Sequence, residues 1–260
     1  MSNNTFAWPR DCRGAVSLTY DDGLPEHHGH VGPLLEKCGL RGTFNVNICT
    51  SSTALAGVPT DIQLNPQAWR DLAARGHELG NHTLFHPCRS EPGRDKSSWM
   101  DPAYNLCHYT PRRWSDEMRV ASFLLKLIDG REHRTFANTC CDLDLGRDET
   151  RSSLDPLIAE QFVGARGPLN NTPVDPAAAN FQALGHFSGD HHTFEQLRDE
   201  IESAVAAGRW IIYMFHGVGD ASHRLHISVE EHRKLAEWLG SQSGRIWTAP
   251  MIDVALHVRG

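Results

Sequence analysis

The order of elements along the chain predicts an α/β fold in which parallel strands close, or nearly close, into a barrel. Three observations carry this reading. Strand-like runs alternate with helically spaced ones from end to end, seven or eight strands can be counted, and neither an internal repeat nor a low-complexity linker divides them. The 260 residues, 40% hydrophobic and 22% charged, have a globular balance and a length that one barrel domain accommodates, so residues 1–260 are read as a single domain.

Each element has its own justification. Residues 15–20 alternate and are rich in β-branched and aromatic types, a strand stopped by Asp21-Asp22-Gly23. Val31, Leu34, Leu35 and Cys38 share a helical spacing that Gly39 closes, and residues 42–48 return to strand. Asn65-Pro66 reads as a cap with proline in the first turn, ahead of an apolar face of Trp69, Leu72 and Ala73. Residues 77–81 are a short strand leading into His82. Periodicity lapses over residues 87–111, and a loop that long in a compact domain is usually functional. Its Trp99, Tyr104 and Tyr109 are expected on the wall of a substrate groove.

Ser115 then opens a helix, with Asp116 and Glu117 in the first turn, Val120, Phe123, Leu124 and Leu127 as its buried stripe, and Gly130 as its stop. Residues 134–138 read as strand, 154–160 as helix and 161–166 as strand. Thr193-Phe194-Glu195-Gln196 is a capping box that starts a helix running to about residue 207. Residues 210–215 are apolar at every position, as a strand covered on both faces must be, and end on His216-Gly217. A helix over 228–239 and a strand over 245–248 complete the pattern.

Composition excludes some partners. A net charge of -7 without a basic cluster argues against nucleic acid. No run approaches a membrane span and residues 1–5 lack a leader's features, so a cytoplasmic protein with no membrane partner is expected. The cysteines number seven, an odd count without Cys-x-x-Cys spacing, and Cys140 and Cys141 are adjacent. Buried free thiols are expected, not a disulfide framework or a zinc ribbon.

Barrels of this kind carry their chemistry where strands end, which is where Asp21, Asp22, His82, His86 and His216 fall. Asp-Asp-Gly is a turn signal by itself. At a strand tip, however, neighbouring carboxylates point to opposite sides, so one can hold a metal while the other handles a proton. His82 and His86, four apart, can present two imidazoles from one helical turn, which Pro87 then ends. Thr83 stands where a zinc protease would carry its glutamate. His216 is either an acid or a buried histidine hydrogen-bonded at the end of a core strand, and His27, His28 and His30 are expected on the rim.

Thr19-Tyr20-Asp21-Asp22-Gly23, then Gly42-Thr43-Phe44, then Gly76-His77-Glu78-Leu79-Gly80-Asn81-His82-Thr83-Leu84-Phe85-His86, and last Tyr213-Met214-Phe215-His216 occur in this order. Together they resemble the polysaccharide deacetylase family, also called NodB-homology or carbohydrate esterase family four. The resemblance implies a distorted, incomplete (β/α) barrel of about seven parallel strands and one divalent metal. Zinc is the first choice, with cobalt, nickel or iron(II) as substitutes. It also implies removal of acetyl groups from N- or O-acetylated sugars, with Asp22, His82 and His86 matching the metal ligands, Asp21 the base and His216 the acid. Three protein ligands would leave a position for a water that the cation acidifies. A backbone N–H near Thr43-Phe44 or Asp22-Gly23 would face the oxyanion.

Two family elements have no counterpart in the sequence. Phe136-Ala137-Asn138-Thr139-Cys140 replaces an Arg-x-Pro-Tyr element whose arginine orients the base, and Arg166, at the end of the next strand, is the candidate substitute. The Asp-Trp element that supports the catalytic histidine is missing too, with Asp175 and Asp190 as candidates. The expected partner is an acetylated carbohydrate or a small amide. The alternatives to a carbohydrate deacetylase are hydrolysis of a non-sugar linear or cyclic amide and a catalytically silent glycan-binding domain.

Overall fold

A computed structural model describes residues 6–220 and 222–260; residues 1–5, read above for a leader, lie outside them. Seven parallel strands form a ring: β1 (Gly14–Tyr20), β2 (Thr43–Val46), β3 (Glu78–Asn81), β4 (Phe136–Ala137), β5 (Ala165–Leu169), β6 (Leu184–Ser188) and β7 (Trp210–Phe215), which pairs back onto β1. β1 meets β7 along all but its first residue, Ala15 with Trp210 through Tyr20 with Phe215, but meets β2 only at its tip, through Thr19 and Tyr20. The lower part of that edge, Gly14 to Val16, is taken by an eighth strand, β8 (Ile246–Thr248). With a two-residue β4 and a register shift between β5 and β6, this makes the barrel distorted.

Helices α1 (Gly32–Lys37), α2 (Pro66–Ala74), α3 (Pro111–Asp129), α4 (Asp155–Gln161), α5 (Phe194–Ala206), α6 (Val229–Ser241) and α7 (Met251–Arg259) follow the strands. Among the described residues no helix is long and apolar enough to cross a membrane.

Strand alternation sorts β1 into two layers. Val16, Leu18 and Tyr20 join the apolar layer shared with Leu35, Leu235 and Leu239 of the helices. Ser17, Thr19 and then Asp21 turn to a polar interior, where Ser17 Oγ donates to Ala249 O at 3.0 Å and Thr19 Oγ1 to Tyr213 O at 2.7 Å. The polar tip is thus the direct continuation of the inward-facing side of a core strand.

Several expectations are corrected. α3 begins at Pro111, not Ser115, because Thr110 Oγ1 accepts from Arg113 N at 3.2 Å and caps it. Its buried face carries Trp114, Met118, Ala121 and Leu125, while Val120, Phe123 and Leu127 are exposed. Two apolar stripes compete on this helix, and the one with Trp114, packed on Phe136 and Phe162, buries the larger area. The Asn65 side chain caps nothing; its Nδ2 donates to Asp61 Oδ1 at 2.8 Å.

The cysteine expectation is also overturned. Cys88 and Cys140, 52 residues apart in sequence, form a disulfide that joins the loop after β3 to the loop after β4. Cys12, Cys38, Cys49, Cys107 and Cys141 are free.

Candidate active site

Asp22, His82 and His86 converge at the top of the barrel. Asp22 Oδ1 lies 3.5 Å from His82 Nε2 and 3.3 Å from His86 Nε2. A tetrahedral zinc with bonds of about 2.0 Å keeps its donors roughly 3.3 Å apart, so this set has the spacing and the mixed nitrogen and oxygen chemistry that such an ion requires. His82 Nδ1 sits 2.9 Å from Ala137 O, which fixes the tautomer that turns a lone pair on Nε2 toward the other two donors.

The two histidines do not share a helical turn. Thr83 and His86 adopt left-handed backbone, at φ 74° and 54°, as does Asp22 at φ 75°. Side chains hold this turn in place of helical bonds: Thr83 N donates to Asn81 Oδ1 and His86 N to Thr83 Oγ1, each at 2.7 Å. Such backbone persists where its surroundings over-determine it. Gly23, at φ +60° with Val46 Cγ1 3.0 Å from where a Cβ would stand, completes the tip as only glycine can.

Asp21 is fully enclosed, and Arg166 reaches it from β5. One guanidinium nitrogen donates to Asp21 Oδ1 at 2.9 Å and to Thr19 Oγ1 at 2.6 Å, while the other donates to Asp21 Oδ2. Asn45 Nδ2 adds a bond to Oδ1 at 2.9 Å. Burial raises the carboxyl pKa, but the Arg166 charge outweighs it, and with His82 holds Asp21 below the usual carboxylate range.

His216 is oriented by Asp190, which follows β6. Asp190 Oδ2 lies 2.7 Å from His216 Nδ1, and Oδ1 accepts His216 N at 3.0 Å. Burial lowers the imidazole pKa, while Asp190, Asp22 and Asp21 outweigh it and leave the net shift upward. Asp175 is elsewhere, paired with Arg209 at the surface.

His27, expected on the rim, is fully buried. Its Nδ1 accepts Leu24 N at 3.2 Å and its Nε2 donates to His216 O at 2.9 Å, so it ties the Asp22 tip to the end of β7. His28 bonds Asp61 Oδ2 at 2.8 Å and His30 bonds Val218 O at 3.1 Å.

A cavity of about 940 Å³ opens over these groups. Asp21, Asp22, Gly23, His82, His86 and His216 line it, and so does Trp99, whose ring is 6.5 Å from that of His86. Tyr104 instead stacks on Phe85 at 4.8 Å. Tyr109 is buried beneath the loop, with its hydroxyl 3.0 Å from Glu117, and does not reach the groove. Thr43 and Phe44 lie within β2 and do not line the cavity, whereas Asp22 and Gly23 do. Asn45 carried no signal in the sequence, and His27 was expected on the rim and Cys88 and Cys140 as free thiols, because each of these acts through a partner distant in sequence.

Residues 10–138 match the polysaccharide deacetylase family. A gellan lyase from Bacillus sp is 29% identical over 220 residues, an alignment covering 84% of this chain and 7% of that protein. A chitin deacetylase from Colletotrichum lindemuthianum is 36% identical over 74 residues, 28% of this chain and 27% of that one. The chain therefore spans only a minor part of either curated relative. A family 4 acetyl xylan esterase from Clostridium thermocellum, solved with a cobalt ion, shares the fold at TM-score 0.53 and 15% identity, over 92% of this chain and 89% of that one.

Proposed function

The chain belongs to the polysaccharide deacetylase family, and from that premise we propose that it is a metal-dependent hydrolase removing acetyl groups from N- or O-acetylated carbohydrate. The observation that carries this reading is the pairing of two differently tuned groups beside one donor cage: Asp21 held by Arg166, and His216 held by Asp190. A silent glycan-binding domain would need neither pair.

Asp22, His82 and His86 would hold the divalent ion, zinc by the donor set and spacing, with cobalt, nickel or iron(II) able to substitute. Once bound, such an ion supplies Lewis-acid polarisation of an acyl carbonyl and acidification of water. Asp21, kept ionised by Arg166, takes the proton from water as its oxygen bonds to the acyl carbon. Both Asp21 oxygens are tethered, so the carboxylate cannot swing out of line.

His216, whose Nδ1–H is directed to Asp190, presents Nε2 to the cavity. In its protonated form it gives the Nε2 proton to the departing nitrogen or oxygen as the bond to the acyl carbon breaks; the free amine or alcohol leaves with acetic acid, which loses its remaining proton to solvent as acetate. Asp21 ends protonated and His216 neutral, and exchange with solvent resets both.

The Cys88–Cys140 disulfide suits an oxidising compartment and weighs against the cytoplasmic expectation. The test is acetate release from acetylated chito-oligosaccharide and acetylated xylan by zinc- or cobalt-loaded protein. Release should stop with a chelator, return with metal and be absent in a folded Asp21→Asn variant. Metal-loaded protein that frees no acetate from either substrate would sink the proposal.

A further inference from the structure

One wall of the cavity is hydrocarbon. Leu55, Val58 and Leu64, from the segment between β2 and α2, line the space above the donor cage and are 49%, 54% and 64% exposed. The polar side chains among them are already engaged. Asp61 accepts from His28 Nε2, Trp69 Nε1 and Asn65 Nδ2, each at 2.8 Å, and Thr60 Oγ1 donates to Ile48 O at 2.6 Å. Nor does the segment hang loose, since Thr53 N donates to Trp99 O at 2.9 Å and Gln63 Nε2 to Ile48 O at 2.8 Å. This is a fixed surface, and the exposed side chains it turns to the cavity, Leu55, Val58 and Leu64, have nothing to offer a hydroxyl.

A sugar ring laid on this wall would lose water bonds from its hydroxyls without replacement. Sugars do stack on flat aromatic faces, but the one indole among the residues that line this cavity is Trp99, carried by the loop after β3, while the segment between β2 and α2 contributes aliphatic side chains alone to its exposed face. A hydrocarbon group, by contrast, gains from every apolar area it covers. Three large aliphatic side chains left exposed at the mouth of a candidate active site are a ligand surface of that kind.

We propose that Leu55, Val58 and Leu64 form a subsite for a hydrocarbon group, so that the preferred amide or ester carries an alkyl or aryl substituent near its scissile bond. This rests on the metal-dependent hydrolase reading, narrows its substrate class and moves it toward the non-sugar amides.

The test is calorimetric binding of two hydroxamates to the zinc-loaded full chain: acetohydroxamate, and octanohydroxamate with the same head and a hydrocarbon tail. The expected result is that octanohydroxamate binds about tenfold tighter, which corresponds to burying part of one aliphatic side chain's worth of surface. In a Leu55→Ser/Val58→Asn/Leu64→Asn variant, whose changes are all at exposed positions, the tail should lose that advantage while acetohydroxamate binds as before. Equal affinities in the parent protein, or an advantage that survives the triple variant, would overturn the subsite and leave the hydrolase reading intact. If zinc-loaded protein bound neither hydroxamate, the metal-site reading would fail and take the subsite with it.

Discussion

Arg166 and Asp21 are 1% and 2% exposed, so each is the condition for burying the other. Removing the guanidinium in Arg166→Ala would leave an unpaired carboxylate inside the barrel, at a cost of about 3–5 kcal/mol. It would also remove the strongest of the influences that hold the Asp21 pKa down against burial, leaving His82 and His216 to oppose it. The expected outcome is a lower urea midpoint together with a kcat loss of more than about a hundredfold. Arg166→Lys, which keeps the charge but not the two-pronged grip, should fall between. An Arg166→Ala protein with unchanged midpoint and kcat would exclude this role. Asp190 has a different signature. It holds His216 protonated to higher pH, so Asp190→Asn should shift the alkaline limb of the kcat/KM profile to lower pH, and an unmoved limb would dismiss it as the supporting carboxylate. In the sequence Arg166 was legible because it ends the strand after the expected arginine position. Asp190 was not separable from Asp175, since both sit in loops and only the fold brings Asp190 under His216 while Asp175 meets Arg209.

At the level of elements, strands covered on both faces announced themselves: Trp210–Phe215 is apolar throughout and Gly14–Tyr20 alternates. β6 did not, because Leu184-Gly185-His186-Phe187-Ser188 mixes glycine and polar residues that point into the barrel. The stripe of α3 was misassigned because periodicity gives the spacing of a helix's apolar residues, not which of two stripes meets the sheet. Loop closure was invisible for a related reason. Cys88 and Cys140 are adjacent only once β3 and β4 pair, which they do through Asn81 and Phe136. The resulting staple lies two residues beyond His86, with Cys88 Sγ 3.7 Å from His86 Nδ1. A bond closing 52 residues restricts the unfolded chain by about 4 kcal/mol. A Cys88→Ser/Cys140→Ser variant should therefore unfold at lower urea and lose zinc to a chelator faster than the parent. Unchanged zinc retention would confine the staple to a role in stability.

Across the whole molecule, the barrel buries imidazoles as neutral groups, and this sets its response to acid. Burial pushes His186 and His232 down to about 3, and His77 to about 4, from an unfolded value of 6.5. As pH falls through 6.5 the unfolded chain takes up protons that the folded chain refuses, so stability drains away at up to about 1.4 kcal/mol per pH unit for each such histidine. His216 runs the other way, since its raised folded value contributes stability below 6.5 that is lost as pH rises through the folded value, but it is one group against four, because burial also lowers His27. The depressed carboxyl of Asp21 acts in a separate window, its contribution fading only as pH drops below the unfolded 3.8. Chelated protein, which removes metal release as a second cause, should then show urea midpoints that fall steadily from pH 7 to pH 5. His186→Gln should flatten that slope, because it removes one of the buried neutral rings while an amide can keep the weak 3.8 Å contact that the ring makes with Cys141 Sγ. Level midpoints across that interval would mean that the imidazoles are charged inside the fold, and the polar interior would have to be far better solvated than its enclosure of Arg166, Asp21 and His186 allows.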